Sequence, residues 1–155
     1  GRKLQEGDLL VVDWGAAYQG YISDLTRTFI IAKTDADFAR IAGIVRQANL
    51  AGCQAAAPGA RAGDVDVAAR AVITQAGYEE YFLTRTGHGI GMDVHEDPYM
   101  FAQNETKLMP GMTFTVEPGI YISGRGGVRI EDNVVITETG CRVLSSLERD
   151  LLVVG

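Results

Sequence analysis

Residues 8–31, DLLVVDWGAAYQGYISDLTRTFII, decide the fold class because they predict a β-hairpin near the start of the chain. The runs at 8–14 and 20–31 are rich in Val, Ile, Tyr, Thr and Phe, which favour strands. The chain is expected to turn near Gly15–Gly20, so that the two runs pair in antiparallel fashion.

Each strand of this hairpin carries an aspartate. Asp13 shares a strand face with Val11, so an acid at the end of an apolar strand points towards a rim of the sheet. A single Asp in a hairpin is usually a turn or cap residue. We expect antiparallel pairing to bring Asp13 and Asp24 together, where like charges repel unless a cation lies between them.

Two helices are predicted after the hairpin. Apolar residues recur at three- and four-residue steps over 35–57, and Asp35 or Thr34 would be the N-cap. A second helix is expected over 64–75, with Gly77 as its C-cap.

The segment 84–110 holds glycines, prolines and both histidines, which predicts a functional loop carried by a scaffold. Strands return afterwards, at 112–116, 119–122, 128–137 and 141–144. Strands, then two helices, then strands predict an α+β domain with the helices on one face of a largely antiparallel sheet.

The segment TGHGIGMDVH contains the only two histidines of the chain, His88 and His95. Its glycines permit a close approach of the backbone to a metal or substrate. A separation of seven residues is too long for two ligands on one helical turn. It suits one metal ligand, with the other imidazole acting as an acid, a base or a hydrogen-bond donor.

Two glutamates lie in apolar surroundings. Glu117 ends the β run of FTVEPG, and Glu131 lies inside VRIEDNVVI. Alternation places Arg129 and Glu131 on one strand face, so a simple ion pair is the alternative to a metal ligand. A buried ion pair seldom repays its desolvation, and this favours the ligand interpretation.

Four carboxylates and one imidazole form a ligand set for two divalent metals. Its oxygen-rich chemistry suits Mn, Co, Fe or Zn better than a thiolate-seeking ion. If the acids converge, about four negative charges would be neutralised by two dications, and a water shared by such ions would ionise near neutral pH. Hydrolysis of an amide is the natural reaction.

The composition excludes several functions. A net charge of -6 and a pI near 4.8 argue against nucleic acid as a partner. The apolar stretches are too short for a transmembrane helix. Cys53 and Cys141 form no C-x-x-C motif and are interpreted as buried thiols of a reducing compartment, so we expect a cytoplasmic protein.

Five motifs resemble those of the M24 metallopeptidases, in the same order and spacing: DWG, SDLTRTF, GHGIGMDVHEDP, TVEPGIY and GVRIED. This family includes methionine aminopeptidase, aminopeptidase P and prolidase. The resemblance implies the pita-bread fold and hydrolysis by a hydroxide that bridges two metals.

The resemblance also implies roles for individual residues. Asp13 would chelate one metal, His88 and Glu117 the other, and Asp24 and Glu131 would bridge both. Glu117 would in addition shuttle protons. His95 would hydrogen-bond the substrate or the tetrahedral intermediate, and Arg129 would support the substrate site.

The motifs VEPGIYI and GGVRIED are more similar to those of Xaa-Pro peptidases, so we expect removal of the N-terminal residue at Xaa-Pro bonds. Methionine aminopeptidase and a small-amide hydrolase are the alternatives, and a non-catalytic binding module is less favoured. Tyr99 follows HEDP where some prolidases have a basic residue for a dipeptide's carboxylate. Arg125 is one candidate for that charge, so dipeptidase and aminopeptidase both stay open.

The chain begins Gly1-Arg2-Lys3, without an initiator methionine or signal peptide. We therefore expect residues 1–155 to be a single catalytic domain that lacks its N-terminal part, with the pita-bread fold incomplete on that side. The resemblance further implies a homodimer in the full-length protein.

Overall fold

A computed structural model describes residues 1–33 and 35–155. Two α-helices occur among these residues, α1 (Ala36–Ala55) and α2 (Ala62–Gln75). The strands of the described residues are β1 (Leu9–Tyr18), β2 (Tyr21–Ile31), β3 (Gly87–Gly89), β4 (Glu96–Met100), β5 (Thr113–Val116), β6 (Gly119–Ile122), β7 (Gly126–Arg129), β8 (Asp132–Ile136), β9 (Cys141–Val143) and β10 (Leu152–Val154). The predicted α+β class is confirmed.

The N-terminal hairpin forms as predicted, but its turn is tighter. β1 pairs with β2 from Leu9–Ile30 to Tyr18–Tyr21, so only Gln19 and Gly20 connect the strands. Both connecting residues have positive φ, at 50° and 87°. This backbone suits a two-residue hairpin turn. It explains why β1 continues beyond residue 14, where the strand was predicted to end.

β10 adds a parallel strand to the other edge of β2, giving the order β1-β2-β10. No strand was predicted after residue 144. It is three residues long and is fixed by pairing with a segment more than a hundred residues earlier, so the local pattern carries little signal.

The helices match the prediction within two residues. The carboxylate of Asp35 caps α1 by accepting the N–H groups of Asp37 at 2.7 Å and Phe38 at 3.2 Å. The alternative cap, Thr34, lies outside the described residues. α2 begins at Ala62 and is capped at its end by Ala76, so the predicted cap Gly77 is the following residue, with φ of 82°.

A second sheet has the strand order β4-β3-β5-β8-β9. Part of the predicted loop 84–110 is therefore strand, because β3 and β4 lie within it. Gly87 makes this possible, since a Cβ at that position would collide with the carbonyl oxygen of Thr115 on β5. β6 and β7 form a separate two-stranded sheet.

The predicted strand 128–137 divides into β7 and β8 at Ile130 and Glu131. The N–H of Ile130 bonds the carbonyl of Pro118, and the N–H of Glu131 bonds that of Thr26 at 3.1 Å. The chain therefore passes from one sheet to the next at this point, and Glu131 forms a bridge to β2.

The helices cover the sheets through two apolar clusters. One joins Phe38, Ile41 and Val45 of α1 to Ile120 and Val128. The other places buried residues of both helices against β5 and β8. Neither helix of the described ranges combines the length and apolarity needed to cross a bilayer.

Cys53 and Cys141 are both free thiols, as expected from the sequence, although they lie next to each other in space. Cys53 is buried and Cys141 half-buried, and the Cys141 thiol donates to the Cys53 carbonyl oxygen at 2.9 Å. Burial raises the pKa of the Cys53 thiol to about 12, so this group is a poor nucleophile at neutral pH.

The contact at Gly87 yields a stability prediction. Gly87→Ala should destabilise the protein by about 1–3 kcal/mol or more, because the new methyl group has no space beside β5. Gly43→Ala is the matched control, since Gly43 is exposed on α1 and a methyl group there would have no other atom within 4 Å. The Gly43→Ala variant should gain up to about 1 kcal/mol in the free energy of unfolding. The urea midpoint measures both, and equal midpoints would contradict the close approach.

Candidate metal centre

All five predicted ligands and His95 line one cavity of about 580 Å³. Asp13 comes from β1, Asp24 from β2 and His88 from β3. Glu117 follows the end of β5, and Glu131 occupies the break between β7 and β8. Segments of different sheets therefore supply the acids, and the site depends on the tertiary fold.

The centre of the cluster is formed by Asp24, His88 and Glu131, whose donor atoms all lie within 4.8 Å of one another. The Nε2 atom of His88 lies 3.8 Å from Oδ2 of Asp24 and 3.3 Å from Oε1 of Glu117. Imidazole nitrogen with carboxylate oxygens is a donor set that suits Zn, Mn, Fe or Co. These residues fit a divalent metal.

The two aspartates of the hairpin lie on one face, as the pairing predicted. Asp13 is opposite Thr26 and Asp24 is opposite Gly15, which makes the acids diagonal neighbours. Burial raises the pKa of Asp24, and the charge of Asp13 raises it further. A cation between them would remove this repulsion.

Arg129 pairs with Asp13, with Nη2 at 2.5 Å from Oδ2. It also donates to the hydroxyls of Thr26 at 3.1 Å and Tyr121 at 3.0 Å. The alternative ion pair between Arg129 and Glu131 is not formed. Arg129 therefore fixes the orientation of one predicted ligand and leaves the carboxylate of Glu131 to face the cluster.

Glu131 is 2% exposed, and its Oε2 accepts a hydrogen bond of 2.5 Å from the Thr26 hydroxyl. Burial raises the pKa of Glu131 to about 8, and the charge of Glu117 contributes next. At neutral pH this carboxyl therefore holds a proton unless a cation replaces it.

A buried ion pair lies behind Glu131. Asp132 is 0% and Arg27 is 2% exposed, and they meet at 2.7 Å. Arg27 also donates to the carbonyl of Glu131 at 2.6 Å and to that of Thr26 at 2.8 Å. This guanidinium thus ties together the backbone on both sides of the bridge between β2 and Glu131.

Thr115 connects two other predicted ligands. Its hydroxyl donates to Oε1 of Glu117 and accepts the N–H of His88, both at 3.1 Å. Burial raises the pKa of Glu117, and the hydrogen bond from Thr115 lowers it, as do the charges of Arg129 and Arg85. Glu117 is therefore easier to protonate than an ordinary glutamate.

The two imidazoles lie in contact, with ring centroids 4.1 Å apart and planes at 62°. Nδ1 of His88 lies 3.0 Å from the carbonyl oxygen of Gly89, which can only accept, so this hydrogen bond requires Nδ1–H. In the neutral form of this ring, Nε2 carries the lone pair and faces Asp24 and Glu117, as a metal ligand requires.

A second buried network supports the strand that carries His88. Asp66 of α2 is 1% exposed, accepts the Thr86 hydroxyl at 2.6 Å and forms an ion pair with Arg70. Arg70 also donates to the carbonyls of Phe82 and Thr84. The carbonyl of Thr86 in turn accepts the N–H of Glu117 at 2.7 Å.

The sequence motifs did not point to Thr26, Thr115 or Asp66 as supporting residues. A signal existed for Thr26 and Thr115, because each lies two positions from a predicted ligand in a strand and thus on the same face. Asp66 had no such signal, since its partner at Thr86 is 20 residues away.

Arg125, the predicted candidate for a substrate carboxylate, lies elsewhere. It pairs with exposed Asp37 at 3.2 Å, its guanidinium stacks over Phe38, and it lines a different cavity. That expectation is wrong.

A set of carboxylates and one imidazole that converge in a single cleft is typical of a metal-dependent hydrolase. The sequence profile of metallopeptidase family M24 matches residues 1–138. The chain belongs to this family.

Known relatives agree with this assignment. The chain is 49% identical over 154 residues to the "Probable dipeptidase PepE" of Mycobacterium tuberculosis, covering 99% of this chain and 41% of that protein. It is 44% identical to the "Xaa-Pro dipeptidase" of Pyrococcus furiosus, covering 97% of this chain and 43% of that protein. The chain thus spans less than half the length of these relatives.

A solved structure shows the same similarity in fold. A crystal structure of a dipeptidase from Pyrococcus horikoshii superposes with a TM-score of 0.96 at 48% identity, covering 99% of this chain and 43% of the other. The predicted pita-bread fold is confirmed.

The raised pKa values yield a prediction for the protein stripped of metal by a chelator. Glu131 has a pKa of about 8 when folded, against 4.5 as its ordinary value, so only the folded state keeps the proton between them. The melting temperature should therefore fall as pH rises from about 5 to 8.

Glu131→Gln should remove much of this fall in melting temperature with pH. A smaller fall should remain, because the pKa values of Asp24 and Glu117 are also raised. Added divalent metal should abolish the decline by replacing the proton. Thermal scans across this pH range measure the effect. If the melting temperature of Glu131→Gln fell with pH as steeply as that of the wild type, Glu131 would not be the source of the pH dependence.

Proposed function

We propose that this protein is a metal-dependent peptidase that removes the N-terminal residue from peptides, with Xaa-Pro bonds as its preferred substrates. The observation that carries the proposal is the convergence of the donor atoms of Asp24, His88 and Glu131 within 4.8 Å. Membership of family M24 supports the reaction class. The names of the similar Xaa-Pro dipeptidases support the substrate class.

Two divalent ions would occupy the cavity. Asp13 would hold one, His88 and Glu117 the other, and Asp24 and Glu131 would hold both. The four carboxylates carry about four negative charges when ionised, which two dications neutralise. When bound, the ions supply an ionised water near neutral pH as the nucleophile and polarise the scissile carbonyl. Mn, Co, Zn and Fe all suit the donors.

Glu117 would move the proton. Its carboxylate accepts the proton of the attacking water and delivers it to the departing amine nitrogen. Burial favours the protonated form of Glu117, whereas the Thr115 hydroxyl and neighbouring arginines favour the ionised form. These opposed influences bring the two forms closer in free energy, as a group that both takes and gives a proton requires.

His95 would act on the carbonyl oxygen of the scissile bond. It lines the cavity, and its ring lies 4.1 Å from that of His88, centroid to centroid. An N–H donor at this place stabilises the negative charge that develops on the oxygen during attack. Arg129 would support the substrate site by holding Asp13 in place.

A substrate panel tests the proposal. The metal-loaded full-length protein should hydrolyse Xaa-Pro peptides faster than Met-Ala peptides or small amides. Preference for N-terminal methionine would favour a methionine aminopeptidase, and preference for small amides a small-amide hydrolase. Metal binding with no hydrolysis of any of them would leave a binding module.

The bridging roles yield a prediction about metal content. Asp24→Asn or Glu131→Gln should lower bound metal to one equivalent or less and remove nearly all activity, because each side chain would contact both ions. Mass spectrometry of the native protein measures the metal. Asp150→Asn is the control, since Asp150 is exposed and pairs with Arg46. Two tightly bound equivalents in either site variant would show that the bridges are assigned incorrectly.

The two histidines should separate by role. His95→Ala should keep its metal yet lose kcat by on the order of 10²-fold or more, because it loses a donor to the reacting oxygen. His88→Ala should lose metal, because Nε2 is the proposed ligand. Metal analysis with steady-state kinetics distinguishes them, and equal metal loss in both variants would contradict the division.

A further inference from the structure

Arg85 is an exposed arginine on the segment that leads into β3, three residues before His88. Its guanidinium carbon lies 4.6 Å from the centroid of the Tyr99 ring on β4. A cation over an aromatic face is held by the ring quadrupole, which leaves the N–H donors of the guanidinium available. Tyr99 therefore positions the charge of Arg85 without occupying its hydrogen-bonding groups.

The position of Arg85 connects it to the metal centre. Arg85 and Thr84 line a cavity of about 330 Å³ together with His88, His95 and Glu117. The same three residues line the larger cavity that holds Asp13, Asp24 and Glu131. The two cavities thus meet at the proposed catalytic residues, and Arg85 contributes only to the smaller one.

Other arginines around the site already have partners. Arg129 bonds Asp13, Arg70 bonds Asp66, and Arg27 bonds Asp132. By contrast, the Arg85 guanidinium makes no hydrogen bond or ion pair with any protein atom of residues 1–33 and 35–155. A positioned guanidinium with open donors beside a cleft is suited to bind a carboxylate through two parallel hydrogen bonds.

We propose that Arg85, positioned by Tyr99, binds the free C-terminal carboxylate of a dipeptide substrate and so directs this protein towards dipeptides. The inference rests on the proposed function and specifies its substrate class. It assigns Arg85 as a specificity-determining residue that contacts the substrate.

The length of the substrate explains the choice of a dipeptide. One extended residue spans about 3.3–3.6 Å, so only the second residue of a dipeptide places its terminal carboxylate close to the scissile bond. A longer peptide has a neutral amide at that position. The guanidinium would then face a weaker acceptor and lose the charge-assisted pair.

A matched pair of substrates tests the inference in the metal-loaded full-length protein: an Xaa-Pro dipeptide and the same compound with a C-terminal amide. The wild type should prefer the free acid. Arg85→Gln should lower kcat/KM for the acid by about 10- to 100-fold, chiefly through KM, as expected for loss of a charge-assisted hydrogen bond. Its kcat/KM for the amide should fall by a smaller factor, because loss of the Arg85 charge near Glu117 affects both substrates alike.

Further variants distinguish loss of carboxylate binding from general damage to the fold. Arg85→Lys should retain part of the preference for the free acid, because an ammonium keeps the positive charge but lacks the two parallel N–H donors of a guanidinium. Tyr99→Leu should raise KM for the acid by a smaller factor. Arg125→Gln should leave both substrates unaffected, since Arg125 pairs with Asp37 away from the cleft. Metal content should match that of the wild type throughout.

The outcomes separate the two proposals. Equal losses on acid and amide in Arg85→Gln, or a wild type without preference, would overturn the role of Arg85 while leaving the peptidase intact. Faster cleavage of amidated peptides whose second residue is Asp would assign Arg85 to an acidic side chain and overturn the terminal-carboxylate role. A wild type that cleaves neither compound nor any longer Xaa-Pro peptide would reject the proposed function and this inference with it.

Discussion

Burial of carboxylates in one cleft, where they also repel each other, is the constraint on which the rest of this structure depends. Asp24, Glu117 and Glu131 all have raised pKa values, and burial is the first cause in each case. Hydroxyl donors and the guanidinium of Arg129 offset only part of this cost. The uncompensated part of this cost favours binding of positive charge in the cavity. The affinity for protons and the affinity for a divalent metal therefore have one origin.

Groups that repel each other stay together only if their backbone is fixed, and one buried and one half-buried ion pair do this. Arg27, paired with Asp132, holds the carbonyls of Thr26 and Glu131. On the other side of the site, the pair of Arg70 and Asp66 ties α2 to the chain before β3. Removing one partner of a buried pair costs about 3–5 kcal/mol, so the pair of Arg27 and Asp132 tolerates substitution poorly.

Features governed by local periodicity could be predicted, and features governed by distant contacts could not. The expected antiparallel pairing of the hairpin brought Asp13 and Asp24 together. The glycines around His88 were interpreted as a loop, because glycine usually weakens a strand, yet Gly87 is what allows β3 to approach β5. The break at Glu131 lies inside an apolar run, and only its bonds to β2, a hundred residues away, produce it.

The distribution of charge in the cleft matters more for substrate choice than its sum. Two dications would cancel the four carboxylates, which leaves the metal centre nearly neutral overall. The charge of Arg85 lies in the adjoining cavity and forms no ion pair with a described protein group, so with metal bound it would join Arg129 as positive charge near the scissile bond. Loading the site with metal therefore does more than activate water. It removes the acidic background that would otherwise compete for Arg85, and so strengthens selection for a substrate whose own carboxylate lies one residue away.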